Sequence, residues 1–197
     1  MTMTALVEPA LASPARRMMV ESQLRPSGVT QAWVLAAMSQ TPREDHLPAA
    51  ARDFAYMDRA IPLANGRAMP APLVQARLLG EAAPLAADRA LLVSCGAGYL
   101  AALLAPQVGT LDVIDPGAPP PGDNYTLLVI EGAVAEVPDA LAARLAEGAR
   151  ITTGLIERGV TRLASGRKLG GTVTLLTLAE IGIPLIPEYA PARSWSF

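Results

Sequence analysis

The residues best placed to do chemistry cluster around one glycine-rich turn. Ala90–Ser94 is a short apolar run that enters Cys95-Gly96-Ala97-Gly98, and apolar Tyr99–Ala105 follows. A strand feeding a helix through glycines lets a ligand approach the backbone and points free amides at it. Such turns also need glycine for steric reasons alone, so both readings stand at Gly96 and Gly98, with Ser94 just before them. Asp115 ends a second apolar run, Thr110–Asp115, at the position that receives ribose hydroxyls in nucleotide-binding sheets; alternatively it is a turn residue before Pro116. Glu131 closes the apolar run Tyr125–Glu131, either among the ligand-gathering strand ends or as a solvated terminus. His46 stands alone without a nucleophile motif and reads as structural. Cys95 sits near a helix N-terminus, which could lower a thiol pKa, but no Cys/His/Asn set accompanies it, so packing is the better reading.

Composition excludes several classes. The 197 residues carry 16 Lys+Arg against 18 Asp+Glu, a formal charge of −2. That leaves no basic footprint for nucleic acid or an acidic membrane. One Cys forbids an internal disulfide, and with one His it forbids an ordinary zinc cluster, so no metal is expected. Charged residues, proline or glycine interrupt every apolar stretch before it reaches spanning length. No basic start with a sustained apolar run opens the chain, so a cytoplasmic protein is expected.

The organisation predicted from these patterns is a mobile leader over 1–15 and one domain over 16–197, with a helical cap and loop at 16–80 and a sheet at 81–197. Arg16–Leu24 and Gln31–Gln40 read as helices, the second capped by Thr30 and stopped by Pro42. Ala49–Tyr56 offers another short helix, residues 57–72 a loop, and Pro72 to about Gly80 a helix begun by proline. Alternation from Ala90 to Thr153 then indicates a parallel sheet with helices on both faces, Pro138–Ala146 among them. Pro116–Asn124 is too rich in proline and glycine for regular structure. Thr161–Ala164 and Thr172–Thr177 read as an antiparallel pair around Ser165–Gly171. Trp195 and Phe197 form an aromatic tail that either docks on the sheet or stays free.

An ordered set of segments is more specific than the glycine turn. Met19-Val20-Glu21-Ser22-Gln23-Leu24-Arg25, Gly28-Val29-Thr30, Val34–Met38 and Pro42-Arg43-Glu44 follow one another closely. Ala55-Tyr56-Met57-Asp58-Arg59-Ala60-Ile61-Pro62-Leu63, the Gly96–Leu104 segment and Glu131–Pro138 complete the set. Together they resemble the protein-L-isoaspartate O-methyltransferase family, over roughly Arg17 to Pro187. The resemblance implies an α/β fold: a Rossmann-like, three-layer methyltransferase sheet with an N-terminal helical cap. It implies methyl transfer from S-adenosylmethionine to isoaspartyl carboxylates of damaged proteins or peptides, a protein-repair activity. It places Ser94, Gly96, Gly98, Asp115 and Glu131 around the cofactor, and Asp58, Arg59, Gly132 and Ala133 on the substrate side.

This chain departs from that pattern in three places. The family's acidic residue at the first strand is replaced by Val93 or a neighbour, and a further glycine by Ser94. The family loop Gly-x-Thr-x-Ser-x-Pro reads Gly66-Arg67-Ala68-Met69-Pro70-Ala71-Pro72, so Ala68 and Pro70 hold the hydroxyl positions. Residues 106–124, 19 in all, leave room for one strand and a proline-rich loop, where the family has an additional helix and strand that enclose adenine. One outer strand–helix unit is therefore expected to be missing and the cofactor site eroded. The alternatives are a catalytically inactive member serving as a peptide- or protein-binding module, and a methyltransferase with another acceptor. Without the outer strand, Thr110–Asp115 becomes a sheet edge that the Pro116–Asn124 loop or another chain is expected to cover.

Overall fold

A computed structural model of the chain describes residues 13–63 and 66–190; the leader before residue 13 and the aromatic tail lie outside them. Three parallel strands form around the apolar run before the glycines. Apolar residues on both faces of β3 (Arg89–Val93), Ala90 and Leu92 on one and Leu91 and Val93 on the other, are what a strand covered on both sides requires. β4 (Thr110–Ile114) pairs with one side of β3, and β5 (Tyr125–Val134) with the other. β6 (Leu145–Glu157) runs parallel to β5, and β7 (Val160–Leu169) and β8 (Thr172–Glu180) return antiparallel. The order is β4-β3-β5-β6-β7-β8. The chain leaves β3 for one side and then crosses to the other, so the carboxyl ends of β3 and β5 form a topological switch point, where open α/β sheets bind ligands.

The cap begins with α1 (Pro14–Met18), which continues as a π-helical turn over Met19–Leu24. α2 (Ala32–Gln40) starts from Gln31 with no side-chain cap, rather than from Thr30. Two 3-10 turns, Arg43–His46 and Ala49–Phe54, follow. The expected loop at 57–72 contains a small hairpin of β1 (Ile61–Pro62) and β2 (Ala68–Met69). α3 (Pro72–Ala82) ends on Ala83 in the left-handed conformation, and Arg150 caps its last carbonyls, those of Ala82 and Ala83. These helices and α4 (Tyr99–Leu104) cover one sheet face over Ala90, Leu92, Leu127 and Val129.

The opposite face buries Leu91, Val93, Leu128, Ile130 and Ile151. The helix expected at Pro138–Ala146 is confined to α5 (Asp139–Ala142), because Leu145 is drawn into the ladder opposite Tyr125. That face is closed instead by the Pro116–Asn124 loop and by a C-terminal strap, residues 181–190. Ile186 and Tyr189 of the strap pack on it. The β7–β8 turn is also tighter than expected: Ser165, Gly166, Arg167 and Lys168 are all paired, leaving Gly170-Gly171 as a two-residue turn with φ of 57° and 79°. β8 is the far edge, uncharged from Thr172 to Ala179, with Leu176 69% exposed.

β4 is the outermost strand on its side, with no strand–helix unit beyond it among the described residues. The expected cover is only partial. The 116–124 loop bonds to Tyr125 and Tyr189 through Gly122 N and Gly117 N, and none of its backbone groups pairs with β4 among the described residues. Near the amino end of β3, Asp88 accepts from the Leu85 amide at 2.7 Å and the Thr126 hydroxyl at 2.8 Å, and pairs with Arg150. Burial alone would raise the Asp88 carboxyl, but these donors outweigh it and hold it below its ordinary value. A carboxyl held down by the fold stabilises above its unfolded pKa, and that contribution fades as pH falls through the folded value. Asp88→Asn is expected to flatten the loss of stability below about pH 4, measured by chemical denaturation across the acid range.

Candidate functional site

At the switch point lies a cleft of about 320 Å³ lined by His46, Pro48, Leu63, Arg67, Cys95, Gly96, Ala97 and Asp115. Its floor is the glycine turn. Gly96 and Gly98 have φ of 100° and 77°, values that a side chain would strain. A Cβ built on Gly96 would meet nothing nearer than Arg67 Nη1 at 3.9 Å, and one on Gly98 nothing nearer than His46 Nδ1 at 3.6 Å. Both distances are ordinary van der Waals contact, so the backbone conformation, rather than crowding, is what calls for glycine here. His46 also packs edge-on to Tyr99, 5.4 Å between ring centroids.

Ser94 and Glu131 lie beneath this floor. Glu131 is 1% exposed. Its carboxylate accepts from Gln75 Nε2 at 2.6 Å, the Cys95 amide at 3.1 Å and the Ser94 hydroxyl at 3.3 Å. The Ser94 hydroxyl in turn accepts from the Gly96 amide at 3.1 Å. Burial pushes the Glu131 carboxyl up, against the pull of these donors. Arg43, fully buried, bonds the other end of Gln75, donates to the Ala55 carbonyl at 2.8 Å and to the Pro70 carbonyl at 2.5 Å, and stacks 5.1 Å from the Tyr99 ring centroid. This chain of groups fixes the turn from below. Burial, reinforced by the Glu131 carboxylate, raises the Cys95 thiol far above its ordinary pKa, so it remains a packing group.

Asp115 projects from the end of β4 into the mouth, its side chain 69% exposed. Arg67 Nη1 donates to it at 2.7 Å, while Nε and Nη2 of the same guanidinium hold Glu188 at 3.0 Å and 2.6 Å. The strap thus meets the mouth at Glu188, and again where the Gly117 amide donates to the Tyr189 hydroxyl at 2.7 Å.

The sequence-derived residues are distributed unevenly around this cleft. Gly96, Gly98 and Asp115 face it or border it, and Ser94 and Glu131 support it. Gly132 and Ala133 lie under the strap: the Ala133 amide donates to the Pro184 carbonyl, and the Ile186 amide donates to the Ala133 carbonyl. Asp58 and Arg59 are exposed outside the cleft lining, with Arg59 stacked 4.9 Å from the Phe54 ring centroid. Ala68 pairs with Pro62 in the small hairpin, and the Pro70 carbonyl is taken by Arg43. Leu92 and Val93 are fully buried, so no carboxylate rises from the end of β3. No local pattern points to Arg67, Glu188 or the Arg43–Gln75 pair, because their partners lie 32 to 121 residues away in the chain.

Comparison with known proteins decides the family. Residues 15–114, just over half the chain, match the family described as protein-L-isoaspartate(D-aspartate) O-methyltransferase. A protein-L-isoaspartate O-methyltransferase of Koribacter versatilis is 30% identical, over 90% of this chain and 94% of its own. The chain belongs to the protein-L-isoaspartate(D-aspartate) O-methyltransferase family. A family member from Methanoculleus marisnigri is 29% identical over 90% of this chain and 96% of its own. In fold, the chain resembles a Plasmodium falciparum structure described as a protein-L-isoaspartate O-methyltransferase in complex with S-adenosyl-L-homocysteine. The TM-score is 0.72 at 16% identity, covering 88% of this chain and 98% of that one. The sheet is accordingly the family's Rossmann-like methyltransferase sheet with its helical cap, and the family's cofactor is S-adenosylmethionine. Among the described residues, no helix is long and apolar enough to cross a membrane, and no His/Cys/Asp/Glu group could hold a metal.

Proposed function

We propose that this chain is an S-adenosylmethionine-dependent protein carboxyl methyltransferase acting on isoaspartyl side chains, with a donor site trimmed on its adenine side. The observation that carries the reading is the exposed Asp115 carboxylate facing the Gly96–Gly98 turn across a cleft at the switch point. The glycine turn on the cleft floor and the cleft volume suit a nucleoside, with Asp115 holding ribose hydroxyls. When bound, S-adenosylmethionine supplies an electrophilic methyl group on a sulfonium. The acceptor carboxylate is ionised at neutral pH, so the chain has no proton to remove. Its own residues need only position the acceptor and exclude water, and the rigid turn held by Glu131, Ser94 and Gln75 suits that task.

Two observations support the trimmed donor site: Leu92 and Val93 offer no charge to the amino-acid end of the donor, and no strand stands beyond β4 among the described residues. Each missing charge-assisted contact weakens binding by about ten- to a hundredfold. Isothermal titration with S-adenosylhomocysteine and methyl transfer to an isoaspartyl peptide test the reading together. Binding with turnover above background supports it; no binding at millimolar ligand and no turnover overturns it. Asp115→Asn is expected to weaken S-adenosylhomocysteine by about ten- to a hundredfold, with the melting temperature little changed because the Asp115 side chain is exposed.

A further inference from the structure

Among the described residues of the loop before α3, Arg67 lines the cleft and already grips two carboxylates. We propose that Arg67 is the carboxylate-binding residue of the mouth, kept in place by Glu188 and shielded at rest by Asp115; this rests on the methyltransferase reading above. Among the described residues of the 63–71 loop, Leu63, Ala68, Met69, Pro70 and Ala71 carry no side-chain donor. Arg43, the other guanidinium that bonds to this loop, is fully buried and engaged with the Ala55 and Pro70 carbonyls and Gln75. A carboxylate entering the cleft therefore meets Arg67.

The geometry divides the guanidinium into two working edges. Nε and Nη2 both lie on Glu188 Oε1, at 3.0 Å and 2.6 Å, and this grip anchors the side chain to the strap. Nη1 lies on Asp115 Oδ1 at 2.7 Å, 3.9 Å from the point where a Gly96 Cβ would stand. The Asp115 side chain is 69% exposed against 14% for Arg67, so Asp115 regains water when released while the guanidinium keeps its place, and an incoming carboxylate restores the same charge-assisted bond. Exchanging Asp115 for an incoming carboxylate on Nη1 is therefore nearly balanced, and the planar fork suits that ligand. A ribose taking Asp115 would free Nη1 in the same event. Donor binding thereby prepares the cation for a carboxylate.

Two ligands bring that chemistry: the isoaspartyl acceptor and the amino-acid end of the methyl donor. Titrations of wild type, Arg67→Gln and Arg67→Lys with three probes separate them. The probes are an isoaspartyl peptide, S-adenosylhomocysteine, and methylthioadenosine, which shares the nucleoside but has no carboxylate. Arg67→Gln is expected to lose about tenfold or more toward one of the two carboxylate probes, with methylthioadenosine unchanged or tighter and Arg67→Lys partly restored. A loss confined to the peptide assigns the acceptor, and one confined to S-adenosylhomocysteine assigns the donor's amino-acid end. Melting curves check that each variant is folded. Equal affinity of wild type and Arg67→Gln for both carboxylate probes overturns the proposal, as does a wild type that binds neither. A wild type that binds the peptide but neither nucleoside overturns the donor reading alone, and the Arg67→Gln peptide titration still decides Arg67.

Discussion

Arg43→Met is expected to lower the melting temperature by about 6–20 °C, the equivalent of about 3–5 kcal/mol. The substitution keeps the aliphatic stem and removes only the guanidinium. The Ala55 and Pro70 carbonyls and Gln75 Oε1 are then left without their donor, and the buried Glu131 carboxylate loses the cation that compensates it through Gln75. The stacking on Tyr99 goes as well. Adding Glu131→Gln to Arg43→Met removes the uncompensated charge, so the double variant is expected to melt closer to wild type than the two single losses added together. Strict additivity, or an Arg43→Met melting curve superimposable on wild type, would show that the buried chain does not act as a unit.

A second large effect is expected at Gly132. An ideal Cβ there stands 2.5 Å from Ile186 Cγ1 and 3.2 Å from the Pro184 carbonyl oxygen. Alanine must therefore push the strap away from β5 or distort the strand end. The expected destabilisation is about 1–3 kcal/mol, or about 2–12 °C in melting temperature. Because Glu188 and Tyr189 tie the same strap to Arg67 and Gly117, the disturbance is expected to reach the mouth. Limited proteolysis reads this directly: cleavage within residues 181–190 is expected to speed up in Gly132→Ala. Unchanged cleavage and melting would mean that the strap accommodates the methyl group without loosening.

Much of the central sheet was legible because its signals are local. The apolar run before the glycines, the proline-rich stretch after β4 and the apolar β5 announce strand, turn and loop from neighbouring residues alone. The spacing between Ala105 and Tyr125 also marked β4 as terminal, since chain length limits what can be built there. Elsewhere the structure depends on pairing over distance, which no local signal carries. Leu145 reads as the end of a helix until Tyr125 recruits it into the sheet, and Ser165–Lys168 read as a turn until β8 aligns beside them. Around the site, Glu131 stands where a ligand contact would be, but Gln75, 56 residues away, turns it into a buried support. The clasp at Arg67 joins residues 121 apart, and no spacing rule connects them.

The strap has a temporal consequence. Strap residues 184–189 follow every strand in chain order, yet they complete the rim that β4 began at Asp115. On a ribosome adding about 5–20 residues per second, the 74 residues from Asp115 to Tyr189 take roughly 4–15 s. During that interval the glycine turn exists without its rim. A nascent chain is therefore expected to acquire its binding mouth only once the strap has been made, well after the sheet that carries it can begin to assemble.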